Sequence, residues 1–131
     1  MRPIPHFLCL YKMLTVYGIP NCDTIKKTLD WLKANNIAYQ FHDYRKEGIS
    51  TEKLNSWIQQ VPLEKVFNKA STTFKELPDE LKATIGDEAA AIEIMKERTS
   101  IIKRPVIEED GKVVAVGFKA DQYKTIFTPV S

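Results

Sequence analysis

The sequence predicts an α/β fold in which a strand–helix–strand unit and a strand–strand–helix unit flank a helical segment at about residues 48–100. Three observations support this order. Short apolar runs of strand length lie near both ends of the chain, an amphipathic helix follows the first of them, and the middle has helical periodicity. With 131 residues, 44% of them hydrophobic, the chain is large enough for one domain with its own core.

The first half of the chain predicts a β–α–β unit. Residues 14–17 and 38–44 are apolar or alternating, as expected for two strands. Between them, residues 23–35 predict a helix with one apolar face, formed by Ile25, Leu29 and Leu32. Strands that are joined through a helix pair in parallel by a right-handed crossover. We therefore expect these two strands to be parallel neighbours in one sheet.

The middle of the chain predicts a helical insertion between the two halves of the fold. Ser50 precedes an apolar pattern typical of a helix, which is formed by Leu54, Trp57, Ile58 and Val61. Two more short amphipathic helices are expected, with Gly86 between them and Asp87 as the N-cap of the second.

The end of the chain predicts a hairpin and a last helix. Residues 106–108 and 112–116 have strand patterns, and Asp110 with Gly111 forms a strong two-residue turn signal between them. A final helix is expected over about residues 120–127. The complete order, βαβ, helices and ββα, is that of a thioredoxin-like fold interrupted by a helical insertion.

The overall charge of the chain limits the classes of partner. Lys and Arg number 19 and Asp and Glu number 17, which gives a formal net charge of +2. Nucleic-acid binding normally needs a concentrated basic face, so this balance predicts no nucleic-acid partner. No apolar run approaches the roughly 18–20 residues of a membrane span. We expect a monomer that does not associate with membranes.

The chain contains two cysteines, Cys9 and Cys22. Two cysteines cannot form a disulfide framework, and no cluster of Cys and His has the spacing of metal ligands, so the sequence predicts no metal site and no bound cofactor. This usage is typical of the reducing cytoplasm. Met13 lies directly before the first strand, so residues 1–12, with Cys9, are predicted to be an extension outside a domain that spans residues 13–131.

Cys22 is the candidate nucleophile because it lies between the first strand and the first helix. A helix N-terminus presents unpaired N–H groups and the positive end of the helix dipole, which stabilise the nucleophilic thiolate. Lys26 adds a positive charge one turn along, and the Thr24 hydroxyl is placed to hydrogen-bond the sulfur. The competing interpretation is a buried, inert cysteine.

Three segments of the chain resemble the ArsC/Spx family of the thioredoxin superfamily, and most closely its YffB-like subgroup. They are Tyr-Gly-Ile-Pro-Asn-Cys-Asp-Thr-Ile-Lys-Lys at residues 17–27, Phe-Asn-Lys at residues 67–69 with Thr73 and Phe74, and Ile-Lys-Arg-Pro-Val at residues 102–106. The resemblance covers residues 13–127. It implies that Cys22 is catalytic, that Arg104 binds an anion or substrate, and that Pro105 is a cis-proline beside the active site.

The chain also departs from its better-known relatives at four positions. Asn68 and Lys119 stand where arsenate reductases of this type are expected to carry two of three arginines around the oxyanion. A lysine supplies only a point charge where an arginine supplies a planar fork of donors, so arsenate recognition is expected to be weaker. Gly18 stands where those enzymes carry a histidine. Ile25 fills the second position of the Cys-x-x-Cys pair found in the redox regulators, which excludes a dithiol switch within this segment.

The resemblance implies a glutathione-dependent thiol–disulfide reductase or thiol transferase that uses one cysteine. Glutathione is the expected co-substrate because its two carboxylates suit Arg104, Lys69 and Lys119, and glutaredoxin is a further candidate partner. Three alternatives remain open at this point. They are an arsenate reductase coupled to glutathione and glutaredoxin, a non-catalytic regulator similar to Spx, and a relic of the fold with an inert thiol.

Overall fold

A mixed four-stranded sheet forms the centre of the molecule in the computed structural model, which describes residues 14–20 and 22–127. The strands are β1 (Leu14–Gly18), β2 (Tyr39–Asp43), β3 (Val106–Glu109) and β4 (Lys112–Val116). Their order in the sheet is β2-β1-β3-β4. β1 pairs in parallel with β2 and antiparallel with β3, which in turn pairs antiparallel with β4. The predicted thioredoxin-like α/β fold is thus confirmed.

Helices link the strands and cover the sheet. They are α1 (Asp23–Ala34), α2 (Tyr44–Glu47), α3 (Thr51–Gln60), α4 (Leu63–Val66), α5 (Thr72–Lys75), α6 (Asp79–Lys82), α7 (Glu88–Glu97), a 3-10 helix (Thr99–Ile101) and α8 (Ala120–Ile126). α2 to the 3-10 helix form the inserted helical lobe. None of the helices within the described residues combines the length and the apolar character needed to cross a bilayer. The predicted extension over residues 1–12, with Cys9, lies outside the described residues.

Two predicted boundaries are wrong for local reasons. The second strand was expected to reach residue 44, but it ends at Asp43, whose carboxylate accepts a hydrogen bond from the N–H of Arg45 at 2.8 Å and caps α2. The lobe therefore begins at Tyr44 and not at residue 48. It also contains the four-residue helices α4 and α5, which were not predicted because one turn is too short to show a hydrophobic period.

The predicted hairpin between β3 and β4 is confirmed. Asp110 and Gly111 have φ values of 52° and 84°, the left-handed pair that a two-residue hairpin turn requires. One feature was not predicted: the pairing of the two strands shifts register between Ile107 and Glu108. A bulge of this kind increases the local twist of a strand and redirects its side chains.

The two faces of the sheet have separate cores. α1 and α8 cover one face over a cluster formed by Leu14, Val16, Leu32, Ile107 and Tyr123. The lobe covers the other face over a larger cluster that includes Tyr17, Tyr44, Leu54, Trp57, Val66, Phe67, Met95 and Val106. Because side chains alternate along a strand, neighbouring residues such as Val16 and Tyr17 enter different cores.

A buried carboxylate attaches the lobe to the sheet. Glu108 is only 3% exposed, and its oxygens accept hydrogen bonds from the Tyr17 hydroxyl at 2.9 Å and the Trp57 indole at 2.7 Å. Lys53 lies 3.1 and 3.2 Å from the two carboxylate oxygens and supplies the opposite charge. These contacts join α3 to both β1 and β3. They hold the lobe against one face of the sheet.

Candidate active site

The ends of β1 and β3 bring the predicted catalytic segments to one edge of the sheet. β1 ends at Gly18, four residues before Cys22. In the antiparallel pairing, Tyr17 at the end of β1 lies opposite Val106 at the start of β3. The chain therefore passes through Arg104 and Pro105 beside the end of β1. This register places the segment that carries the arginine at the edge from which the cysteine loop leaves.

β4 ends at the same edge of the sheet, and Lys119 follows shortly after the last residue of the strand. The N–H of Gly117, directly after β4, donates to the carbonyl of Pro105 at 2.8 Å. Lys119 follows two residues later as the N-cap of α8, and its carbonyl accepts from the N–H of Tyr123 at 2.9 Å. The Lys119 side chain is exposed. Its backbone has a structural role, whereas its ammonium group is accessible to solutes.

Cys22 is the N-cap residue of α1 and is half-buried. Its backbone is extended, with φ −130° and ψ 127°, and its carbonyl accepts the first helical hydrogen bond, from the N–H of Lys26 at 2.9 Å. The sulfur itself accepts no capping hydrogen bond from the first turn of the helix. The position at the helix N-terminus is therefore as predicted, but the expected bonds between main-chain donors and the sulfur are not formed. The favourable helix dipole remains.

Thr24 and Lys26 differ in their relation to the sulfur. No hydrogen bond joins the Thr24 hydroxyl to the Cys22 sulfur among the described residues, so the bond suggested by the sequence is not formed. The carbonyl of Thr24 accepts a bond from the Thr28 hydroxyl at 2.8 Å. Lys26 is exposed and, like Cys22, lines a surface cleft. Of the two, Lys26 is the residue that shares the surroundings of the thiol.

Arg104 and Pro105 have the local geometry that the resemblance implies. The peptide bond between them is cis, Pro105 is buried and Arg104 is half-buried. Burial raises the pKa of the Tyr44 hydroxyl, and Arg104 acts in the opposite direction. Because Coulomb interactions weaken with distance, this effect indicates that the guanidinium lies near the hydroxyl. Tyr44 directly follows β2, so Arg104 is close to the ends of both strands that flank β1 on this edge.

Asn68 belongs to the lobe, and a short strand-like pairing positions it beside the segment that precedes Arg104. Phe67 and Ile102 form an isolated antiparallel bridge, and the N–H of Asn68 donates to the carbonyl of Ile101 at 2.8 Å. The side-chain oxygen of Asn68 accepts from the N–H of Ala70 at 3.1 Å and stabilises the turn there. Lys69, inside this turn, is exposed. The pairing brings Asn68 and Lys69 alongside the segment that leads to Arg104, although the side-chain oxygen and the main-chain oxygen of Asn68 both accept hydrogen bonds within the turn.

A cleft of about 460 Å³ opens beside Cys22, along α1 and next to β2. Its walls are formed by Pro20, Cys22, Asp23, Ile25, Lys26, Leu29, Asp30, Lys33 and Phe41. The other predicted anion-binding residues, Arg104, Asn68, Lys69 and Lys119, do not line it. The cleft is therefore distinct from the set of side chains that was expected to bind anions. Leu29 and Phe41 were not predicted as site residues, because each of them fits a sequence pattern that predicts only packing.

Gly18, at the end of β1, and Ile25, on α1, are packed directly against each other. A Cβ atom at position 18 would collide with the Cδ1 atom of Ile25. The Ile25 side chain is buried and occupies the space above the end of β1. The departures at positions 18 and 25 are thus physically connected. The Ile25 side chain occupies the space that the Cβ atom of any other residue at position 18 would need.

Metal binding has no support within the described part of the chain, where no group of three or more His, Cys, Asp and Glu side chains is placed to hold an ion. The chemistry available at this edge consists of a half-buried thiol, the cationic side chains of Lys26, Lys69, Arg104 and Lys119, and an apolar cleft. A nucleophilic sulfur with nearby cations suits reaction with a disulfide or with an oxidised anionic group.

Comparison with known proteins identifies relatives over most of the chain. The family model described as ArsC family matches residues 17–126. An uncharacterised protein of Haemophilus influenzae is 40% identical over 115 residues, which cover 88% of this chain and 99% of the relative. The solved structure of a YffB protein superposes with a TM-score of 0.81 at 45% identity, over 86% of this chain and 97% of that one.

Other relatives are described as reductase-related proteins or as regulators. The solution structure of an arsenate reductase (ArsC) related protein from Brucella melitensis is 46% identical, with a TM-score of 0.70, over 88% of this chain and 95% of that one. The global transcriptional regulator Spx of Lactiplantibacillus plantarum is 24% identical, over 86% of this chain and 84% of the regulator. From the family match, the shared fold and these similarities, we conclude that the chain belongs to the ArsC family, with YffB among its similar members.

Proposed function

We propose that this protein is a glutathione-dependent thiol–disulfide reductase that uses Cys22 as its only nucleophile. The observation that carries the proposal is the position of Cys22: half-buried, at the N-terminus of α1, and in the wall of an open cleft. Inert structural cysteines are typically enclosed among apolar side chains. The family includes arsenate-reductase-related proteins, which further supports thiol chemistry.

The proposed reaction has two thiol–disulfide exchanges at Cys22 and a third between glutathione and the product that Cys22 releases. The Cys22 thiolate attacks one sulfur of the substrate disulfide, breaks the S–S bond, and releases the other sulfur as a thiolate that takes a proton from water. Position 25 holds an isoleucine, so no second cysteine of the same helix turn can resolve this intermediate. A glutathione thiolate therefore attacks the substrate sulfur of this mixed disulfide, regenerates the Cys22 thiolate, and leaves that half of the substrate in disulfide with glutathione. A second glutathione thiolate attacks the glutathionyl sulfur of this product, forms glutathione disulfide and releases the remaining substrate thiolate, which takes a proton from water. The substrate disulfide is reduced at the expense of two glutathione molecules, with no bound cofactor.

Glutathione carries two carboxylates, for which the Arg104 side of the thiol offers suitable partners. Arg104 can form a bidentate pair with a carboxylate, whereas Lys69 and Lys119 are exposed and supply point charges. Asn68 retains a side-chain NH₂ group that can donate a hydrogen bond. We place glutathione on this side, with its sulfur directed towards Cys22.

The test compares substitutions at the two cysteines of the chain. Cys22→Ser should abolish glutathione-coupled reduction of bis(2-hydroxyethyl) disulfide, because a hydroxyl at neutral pH is not a comparable nucleophile. Cys9→Ser is the matched control and should retain the wild-type rate. The assay follows NADPH oxidation through added glutathione reductase, with circular dichroism as the check of folding. Full turnover by Cys22→Ser would refute the proposal.

Arsenate reduction is the second candidate, and the Brucella relative described as ArsC-related favours its inclusion. Two observations weigh against it: Gly18 offers no side chain near the thiol, and Asn68 supplies only a neutral NH₂ donor where those enzymes are expected to carry an arginine. An arsenate assay that contains glutathione and glutaredoxin separates the two candidates. We expect turnover of the disulfide and none of arsenate; the reverse result would replace the proposed function with arsenate reduction.

A further inference from the structure

We propose that the cleft beside Cys22 binds an apolar side chain of a polypeptide substrate, next to the substrate cysteine that is reduced. This inference rests on the proposed function and names its substrate class. That class is a peptide or protein cysteine in mixed disulfide with glutathione, with an aliphatic or aromatic residue beside it. The cleft is distinct from the surroundings of Arg104, since that residue does not line it.

The chemistry of the cleft floor supports an apolar occupant. Ile25, Leu29 and Phe41 supply aliphatic and aromatic surface, and Pro20 closes the end near the thiol. Leu29 and Phe41 are only half-buried, so part of their surface is exposed to water within the cleft. Covering this surface with another apolar side chain is favourable. Ile25 packs directly against Gly18, where the Cβ atom of any other residue would collide with it.

The charges around the cleft do not favour glutathione as its occupant. Lys26 and Lys33 lie on the rim together with Asp23 and Asp30, so two positive charges are balanced by two negative charges. Glutathione has two carboxylates, one ammonium group and no apolar side chain besides its thiol. Such a molecule requires a concentration of positive charge and hydrogen-bond donors, whereas the floor of this cleft is apolar. The cleft and the Arg104 side therefore suit different parts of one substrate.

The dimensions of the cleft favour a polypeptide over a small disulfide. Its lining residues on α1 run from Cys22 to Lys33, a rise of about 16 Å along the helix axis. An extended chain covers that distance with about five residues. β2, which contributes Phe41, is an edge strand of the described sheet, so its outer side is not paired with another of the described strands. A peptide can thus extend along α1 while one of its side chains fills the cleft.

The chemical step follows from this arrangement. The Cys22 thiolate attacks the glutathionyl sulfur of the substrate, breaks the mixed disulfide and releases the peptide thiolate, which takes a proton from water. Cys22 is then in disulfide linkage with glutathione, which lies on the Arg104 side. A second glutathione thiolate attacks the glutathionyl sulfur, forms glutathione disulfide and regenerates the Cys22 thiolate. The peptide sulfur is reduced from the disulfide to the thiol level, and the sulfur of the incoming glutathione is oxidised from the thiol to the disulfide level in its place.

Two synthetic glutathionylated peptides test the inference. They differ in one residue beside the modified cysteine, which is leucine in one peptide and serine in the other. Wild-type protein should reduce the leucine peptide with a KM roughly tenfold lower, the order expected for one apolar side chain in a pocket. Leu29→Gln should remove this preference and Leu29→Met should keep most of it. Ile126→Gln, at an exposed apolar residue of α8 that does not line the cleft, is the matched control and should keep it.

A second measurement is independent of glutathione turnover. The same two peptides with alanine in place of cysteine are added while Cys22 is alkylated by iodoacetamide. The leucine peptide should slow alkylation of wild-type protein and of Ile126→Gln, but not of Leu29→Gln, and the serine peptide should have little effect. Equal KM values together with equal protection by both peptides would overturn the inference. So would loss of the preference in Ile126→Gln.

The two measurements distinguish the inference from the proposed function. Protection by the leucine peptide without reduction of either glutathionylated peptide would support the cleft and refute the reductase. Equal reduction of both peptides, without selective protection, would refute the cleft and leave the reductase in place.

Discussion

At the scale of single residues, Arg104 carries the recognition of glutathione in the proposed mechanism. Arg104→Ala should raise the KM for glutathione by roughly 10- to 100-fold, the range expected for loss of a charge-assisted hydrogen bond. The KM of Arg104→Lys should lie between those of the wild type and of Arg104→Ala, because lysine keeps the charge and loses the bidentate geometry. Arg98→Ala is the control, since Arg98 pairs with the exposed Glu97 at 3.4 Å. An unchanged KM in Arg104→Ala would place glutathione elsewhere.

Tyr44 gives a second prediction at this scale. Its hydroxyl oxygen is buried and has no hydrogen-bond partner among the described residues. A buried polar group without a partner destabilises the folded state. Tyr44→Phe should therefore leave the free energy of unfolding unchanged or raise it by about 1 kcal/mol. Urea denaturation measures this difference. A loss of more than about 2 kcal/mol would indicate a bond made by the hydroxyl in solution.

The sequence identified Cys22 as the candidate nucleophile. It did not show that Cys22 lines an apolar cleft that is distinct from the expected anion-binding side chains. A cysteine between a strand and a helix is visible in the sequence, as is the Arg-Pro pair before β3. Leu29 and Phe41 are different, because an apolar residue in a helix stripe or a strand predicts only burial. Their partial exposure beside the thiol follows from how α1 and β2 pack together.

At the scale of elements, the buried carboxylate of Glu108 connects the lobe to the sheet. Lys53→Met should lower the free energy of unfolding by about 1–3 kcal/mol, because it leaves the carboxylate without its counter-ion. The lysine side chain is 33% exposed, so solvent screens part of the pairing. Lys96→Met is the control, since its 3.8 Å contact with the exposed Glu93 should contribute less than about 0.5 kcal/mol.

Urea denaturation of the two lysine variants provides the comparison, and methionine keeps the helix propensity of both sites. Equal stabilities for Lys53→Met and Lys96→Met would show that the tyrosine and indole donors alone satisfy Glu108. Such a result would assign the attachment of the lobe to apolar packing between α3 and the sheet.

Prediction of elements depended on their length. α1, α3 and α7 have ten residues or more, enough for an apolar stripe to appear in the sequence. The four-residue helices α2, α4 and α5 have no such period, and their positions depend on caps and on packing within the lobe. The bulge in β3 was also invisible, since register is set by pairing with a neighbouring strand.

At the scale of the whole molecule, buried tyrosines couple stability to high pH. Burial raises the pKa of Tyr123 to about 12 and also raises the pKa values of Tyr17 and Tyr44 well above the usual value for tyrosine. In the unfolded chain a tyrosine titrates near 10. Between about pH 10 and 12 the unfolded state therefore loses protons that the folded state keeps, and stability falls as pH rises. Below pH 10 this contribution is fully present and constant.

The measurement is the free energy of unfolding in urea at several pH values from 8 to 12. Each buried tyrosine should contribute a slope of up to about 1.4 kcal/mol per pH unit above pH 10. Tyr123→Phe should reduce that slope while also losing the hydrogen bond to the Gly117 carbonyl at 2.6 Å. A free energy of unfolding that stays constant up to pH 12 would contradict the raised pKa values of these tyrosines.

Patterns within short stretches of sequence were sufficient to predict the class of fold, the long elements, the hairpin turn, and the position of Cys22 at a helix N-terminus. These features are local, because hydrophobic period, capping residues and turn residues act over a few neighbours along the chain. Family resemblance added Arg104, Pro105 and the expectation of glutathione.

The surroundings of the thiol, in contrast, depend on contacts between elements that are far apart in the sequence. The pairing of β1 with β3 brings Arg104 to the cysteine edge across more than eighty residues of sequence. The packing of Ile25 over Gly18 and the cleft between α1 and β2 likewise arise from contacts between separate elements. Such contacts depend on strand register and helix placement, which the whole core sets at once and no short segment encodes.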